Sequence, residues 1–150
     1  MKKLNKVFTI GFTKKTAEQF FKILNEQDID LLIDIRLNNS SQLAGFSKYP
    51  DIEFFLNKIC NIEYKHDEKF SPSESTLSRY KKKEINWTSY EVEFEETMNL
   101  RQIEKYISEN YEIYNSVCLL CSEPTAEFCH RRLIADKFKK VFKNIEIVNL

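Results

Sequence analysis

Apolar positions along this chain alternate between two periods, short β-branched or aromatic runs and longer segments with helical spacing. Val7, Phe8, Thr9 and Ile10 form a first strand-like run closed by Gly11. Thr16 and Gln19 then stand at capping-box spacing, and Ala17, Phe20, Ile23 and Leu24 recur at helical intervals. Leu31 to Ile35 is a second, nearly continuous apolar run interrupted by Asp34. Pro50 and Asp51 open a helix with Ile52, Phe55, Leu56 and Ile59 on one face, and Ile62 to Tyr64 is a weak third strand. A short helix fits Ser73 to Lys83. Thr88 and Glu91 read as a second capping box, followed by a stripe of Tyr90, Phe94 and Met98. Val117 to Cys121 is the strongest strand, five apolar residues without a break. A helix from about Thr125 to Lys143 and a last strand from Ile145 to Val148 complete the pattern.

Strand–helix alternation with unbroken apolar strands predicts an α/β fold. We expect one three-layer domain over residues 1–150, with a mostly parallel sheet of about five strands covered by helices on both faces. The pattern is Rossmann-like and leaves strand order open. Ligands in such sheets bind outside the carboxyl ends of the strands, so the chemistry is sought just after Ile10, Ile35, Tyr64 and Cys121.

The segment after the fourth strand breaks a local rule. His130, Arg131 and Arg132 crowd the start of a helix, where the macrodipole favours anions. Counting back from Ile134, Phe138 and Val141 turns His130 and Arg131 towards the strand ends and Arg132 outward. A bound phosphate or carboxylate would resolve the misfit; so would pairing of Arg131 with a buried carboxylate such as Asp34. Cys129 sits in the same electropositive place, where a thiol becomes a nucleophile or redox group, or simply fills a tight packing site.

Asp34 and Arg36 fall on one face of the second strand, as an ion pair or with Arg36 as a substrate clamp beside Arg131. The loop from Leu37 to Phe46 is rich in amides and hydroxyls and suits a polar ligand. Gly11 and His66 stand at the same rim, the latter able to titrate near neutrality. Cys121 and Glu123 join Cys129 as candidates for chemistry, Glu123 as a general base.

No metal is expected. Cys118 and Cys121 spell C-x-x-C, but on a strand they face opposite sides of the sheet. A mixed set of Cys121, Cys129 and His130 matches no standard zinc spacing. Only Gly11 follows the first strand, which argues against a nicotinamide cofactor, and a Walker lysine motif is absent as well; no cofactor is expected.

Composition narrows the class further. With 42% apolar and 31% charged residues, 2 Gly and 3 Pro in 150 residues, the chain is neither disordered nor low-complexity. Lysine plus arginine equals aspartate plus glutamate at 23 each, so net charge alone points to neither nucleic acid nor membrane. Charge is uneven locally: five lysines and no acid in the first fifteen residues, eight glutamates from Glu84 to Glu112, six bases against three acids from Glu127 onward. The plain reading is a solvated acidic face beside basic ends. No run approaches the roughly 18 apolar residues of a membrane span. Val7 to Phe12 is too short for a signal segment, so a cytoplasmic protein with four reduced cysteines is expected.

Together these residues resemble the family catalogued as domain of unknown function 488, over essentially the whole chain. The resemblance rests on Thr9 to Thr13, Leu32 to Arg36, Leu37 to Asn39 and Ser41 to Phe46. It continues through Tyr64 to His66, Trp87, Tyr90 and Phe94, then Leu119 to Glu123 and, most specifically, Cys129 to Arg132. The chain departs from many relatives at Phe12, where they carry His. The resemblance implies an α/β fold with a recurring polar cluster and assigns no reaction.

The expected partner is an anionic small molecule or nucleotide held by Arg36, Asp34, His130, Arg131, Gly11 and His66, with Cys129, Cys121 and Glu123 for chemistry. The alternatives are a nucleic-acid-binding module and a thiol redox sensor.

Overall fold

A computed structural model describes residues 4–40, 44–122 and 128–150. Five strands, β1 (Lys6–Gly11), β2 (Leu31–Asp34), β3 (Glu63–His66), β4 (Ser116–Cys121) and β5 (Glu146–Asn149), form one sheet in the order β3-β2-β4-β1-β5. Every pairing is parallel. The most apolar run lies at the centre: β4 is buried throughout and bonded to β1 on one side and β2 on the other. The edge strands β3 and β5 carry the exposed Glu63 and Glu146.

Period-two alternation divides two cores. Phe8, Ile10, Leu32, Cys118 and Leu120 pack under α1 (Ala17–Asn25) and α2 (Asp51–Phe55). Val7, Leu31, Ile33, Leu119 and Cys121 pack under α4 (Trp87–Leu100), α5 (Ile103–Tyr111) and α6 (His130–Val141). Between β3 and α4 lies α3 (Glu74–Lys81), capped by Ser73. Cys118 and Cys121 therefore face opposite cores, as strand geometry requires.

The order of strands places the site. From β1 the chain crosses β4 to reach β2, whereas from β4 it crosses β1 to reach β5. Crossovers of one hand running in opposite directions must use opposite faces, and α1 and α6 do so. The segments leaving β1 and β4 consequently part and leave a crevice at the carboxyl ends of the strands.

Local signals account for most boundaries. Thr16 and Gln19 make both bonds of the predicted capping box. The second predicted box is replaced by an Asn86 cap accepting from the Ser89 backbone, because α4 starts at Trp87, ahead of Thr88. After Phe55 the helix continues as a π-turn over Leu56–Cys60. The wider turn rotates the face, so Ile52 and Leu56 are buried while Ile59 is exposed. Gln102, in the left-handed region at φ 51°, ends one helix and starts α5, which the apolar pattern does not single out. The last helix begins at His130, because Cys129 is extended, whereas the spacing predicts a start near Thr125. His130, Arg131 and Arg132 are thus its first three residues. No helix among the described residues is long and apolar enough to cross a membrane.

Candidate functional site

Asp34 ends β2 pointing away from the core that takes Ile33 and Ile35, and it is fully buried. An isolated carboxylate there would be costly, and the strand supplies its partner two residues on. Arg36 donates from Nε to Oδ1 at 2.8 Å and from Nη2 to Oδ2 at 2.7 Å. The sequence expectation left Asp34 two arginines to pair with; the ion pair is with Arg36. Nη2 also reaches the Ser47 carbonyl at 2.7 Å, and the guanidinium lies over the Phe12 ring at 5.3 Å. Arg36 is 4% exposed, and its Nη1 has no acceptor among the described residues. The Tyr64 hydroxyl donates to Asp34 Oδ2 at 2.5 Å and accepts from Asn39 at 2.9 Å. Burial first, then the Asp34 charge, pushes the Tyr64 phenol well above its ordinary range.

Two histidines clamp the carbonyls beyond β2. His66 Nε2 donates to Arg36 O at 2.7 Å, and His130 Nε2 donates to Ile35 O at 2.9 Å. Ile35 O also accepts from the Ser71 hydroxyl at 3.0 Å. A carbonyl only accepts, so Nε2 of His130 carries the proton. Burial and the neighbouring Arg131 charge pull His130 down to about 4, against the opposing pull of the Ile35 bond and Asp34. The ring is neutral at pH 7, which leaves its Nδ1 with a lone pair.

The helical turn sends the three bases in different directions. Arg131 is 1% exposed; burial first and then its charge lower Lys15, and the same charge opposes, without reversing, the upward push of burial on Cys118. Arg132 faces outward and pairs with Glu91 at 3.0 Å.

Cys121 at the end of β4 and Cys129 before α6 meet across the crevice and are joined by a disulfide, their α-carbons 7.7 Å apart. This corrects two expectations for the chain in this state: four reduced cysteines, and a free Cys129 nucleophile. The physical reason is tertiary, since β4 and the first turn of α6 face each other at the switch between crossovers. Cys60 and Cys118 are free, and burial raises both thiols above their usual range.

A cavity of about 150 Å³ opens beside this bond. Arg36, Cys121, Cys129 and His130 line it from the strand side, facing Lys81, Trp87 and Tyr90. Rings continue along that wall: Trp87 stacks on Tyr90 at 5.0 Å and meets Phe128 at 5.8 Å, while Tyr90 stacks on Phe94 at 6.1 Å. Phe94 in turn touches His130 at 5.6 Å.

Four of the expected site residues therefore share one cavity. Asp34 stands behind it through Arg36 and does not line it. Gly11 is the sheet partner of Cys121 on β1. His66 lines a separate depression with Tyr64 and Asn39, and Glu123 lies outside the described residues. Sequence reasoning missed Tyr80, Lys81 and Trp87 as site residues, though the Trp87–Tyr90 spacing at one helix start was a usable signal.

A family model described as "Domain of unknown function DUF488" matches residues 16–138. No curated protein and no solved structure matches the chain.

Proposed function

We propose that this chain, which belongs to the DUF488 family, binds a small anion, phosphate or the phosphate end of a nucleotide, in the cavity at the strand ends. The observation that carries the reading is Arg36. Its Nε and Nη2 are held by Asp34 and Ser47, while its Nη1 has no acceptor among the described residues. A buried donor left unsatisfied costs roughly 1–3 kcal/mol, which a ligand oxygen would remove. The bidentate pair with Asp34 fixes the guanidinium plane beforehand, so little ordering is needed on binding. Lys81, an exposed lining residue, adds a positive charge.

Size limits the ligand. About 150 Å³ lies below the roughly 300–1,000 Å³ typical of drug-sized ligands. It suits a phosphoryl group or a small carboxylate inside, with any planar base against Trp87 and Tyr90 at the rim. Arg131 is 1% exposed and is not among the residues that line the cavity.

Trp87 is the only tryptophan of the chain, so its fluorescence reports on this cavity alone. Nucleoside monophosphates should change that signal saturably, and inorganic phosphate should compete. Lys81→Ala should weaken binding several-fold and flatten its salt dependence. A signal unchanged by millimolar phosphate and nucleotides would refute the reading.

A second reading has its own observation, the Cys121–Cys129 bond on the cavity wall. A dithiol reductant would deliver two electrons and two protons to the sulfurs and itself become a disulfide, making the pair a redox couple. Its midpoint against glutathione, followed by mass after alkylation, should fall within the range of regulatory disulfides; reduction only upon unfolding would exclude it.

A further inference from the structure

We propose that in the reduced chain Cys121, Cys129 and His130 hold one thiophilic divalent metal ion of the zinc class, with a fourth coordination position open to the cavity. One ligand atom from each residue lies within 4.8 Å of the other two. Two of those atoms are the sulfurs bonded to each other here; on reduction they would part towards the separation of about 3.3–3.8 Å that bond lengths of about 2.0–2.3 Å set between the ligands of a tetrahedral ion. Thiolate and imidazole donors select zinc-like ions over magnesium or calcium.

The histidine is already set for the task. Nε2 of His130 is committed to Ile35 O, so Nδ1 is the ring nitrogen left to coordinate. Metal-bound histidines generally donate their other N–H to a carbonyl or carboxylate in this way, which fixes tautomer and ring plane. The Ile35 carbonyl is itself held by Ser71. Cys121 ends the central strand and Cys129 occupies the N-cap position of α6, so both sulfurs stand at the ends of regular elements.

The proposal also answers the charge misfit at the start of α6. Two thiolates beside His130 would place negative charge where the helix amides and Arg131 favour it, with no external anion required. Binding would release the two thiol protons and leave two negative sulfurs on a doubly positive ion. Cys121 and Cys129 are eight residues apart, and no knuckle motif brings them together; the fold does. That is why linear spacing argued against a metal.

Ion and disulfide compete for the same sulfurs, so a two-electron oxidant such as a low-molecular-weight disulfide, itself reduced to two thiolates as the S–S bond forms, would expel the ion. Because all three residues line the cavity, the open position would face the proposed anion. The metal site stands without that anion, and its test does not use one.

The test titrates cobalt(II), then zinc, into the phosphine-reduced protein. One equivalent should bind per chain, with thiolate-to-cobalt charge-transfer absorption and tetrahedral d–d bands that zinc then removes. Cys121→Ser and Cys129→Ser should each lose the charge-transfer band, whereas Cys60→Ser should keep it. Should either site variant fail to fold, alkylation of the wild-type chain decides: zinc should protect Cys121 and Cys129 from iodoacetamide, and a chelator should expose them. Absence of stoichiometric cobalt in the reduced, folded chain would overturn the proposal. So would an undiminished band in both site variants, or equal alkylation with and without zinc.

Discussion

Removing the charge of Asp34 should damage this protein more than any comparable change at a surface ion pair. Asp34→Asn keeps the shape of the side chain and takes away the only carboxylate paired with Arg36 among the described residues. Asp34 is wholly buried and Arg36 4% exposed, so the guanidinium would be left without a counter-charge and nearly without water. The amide also presents N–H groups to a carboxylate position where Arg36 Nε, Arg36 Nη2 and the Tyr64 hydroxyl all donate. Breaking a buried pair on one side costs about 3–5 kcal/mol. For a domain of this size that lowers Tm by roughly 6–20 °C.

The counter-experiment is removal of both partners. Asp34→Leu with Arg36→Met leaves no buried charge, and such exchanges in other proteins range from about neutral to stabilising. Urea unfolding followed by circular dichroism should therefore rank the double variant well above Asp34→Asn, with similar slopes for all three proteins. Phosphate should also restore more stability to Asp34→Asn than to the wild type, because it offers the orphaned guanidinium a new counter-charge. A loss below about 1 kcal/mol in Asp34→Asn, or a double variant no better than the single, would refute the idea that Asp34 and Arg36 depend on each other.

Three further outcomes follow from other buried groups. His130 is lowered from 6.5 to about 4 in the folded chain, so the unfolded chain takes up the proton first. The oxidised protein should hold its full stability above about pH 6.5 and lose about 1–3 kcal/mol on descent to about pH 4; urea midpoints measured across that window should show a slope that His130→Gln removes. Asp67 is buried and accepts from both Tyr111 and Tyr106, the latter at 2.7 Å. Tyr111→Phe should cost about 1.5–3 kcal/mol in chemical denaturation and Tyr106→Phe less, since Tyr106 is partly solvated. In native, unreduced protein, iodoacetamide should label Cys60 alone, and faster as pH rises; Cys118 is fully buried with a raised thiol and should react only after unfolding, as peptide mass mapping would show.

Short-range signals were legible in the sequence, and the reasons are local. Leu31 to Ile35 and Val117 to Cys121 read as buried strands because nothing polar interrupts them except Asp34. Thr16 and Gln19 cap α1 because a capping box needs only four residues. The opposite faces of Cys118 and Cys121 follow from the pleat alone. What failed needed either a small rotation or a long-range partner. One π-turn was enough to expose Ile59, and the extended Cys129 moved the start of α6 by several residues. The order β3-β2-β4-β1-β5 depends on where crossovers land, which periodicity does not encode. The aromatic wall is hidden for the same reason: Trp87 and Tyr90 belong to helices inserted between β3 and β4.

The cluster at the start of α6 shows how one physical signal admits more than one partner. Three bases against a helix N-terminus are unfavourable in isolation, and that much is readable from His130, Arg131 and Arg132. With His130 and Arg131 turned to the strand ends and Arg132 outward, an outside anion and a buried carboxylate partner for Arg131 both answer the misfit. In the fold Arg132 points outward to Glu91, Arg131 is buried, and His130 donates a hydrogen bond from Nε2 to a strand carbonyl. What remains at the helix start is the pair of sulfurs and one ring nitrogen. The anion site then depends on Arg36, on another strand, and it survives or falls with Nη1 rather than with the helix. Cobalt binding with no phosphate effect would leave the sulfur site standing alone. A phosphate effect retained after Cys129→Ser would do the reverse, so the two sites are separable by experiment although they share one cavity wall.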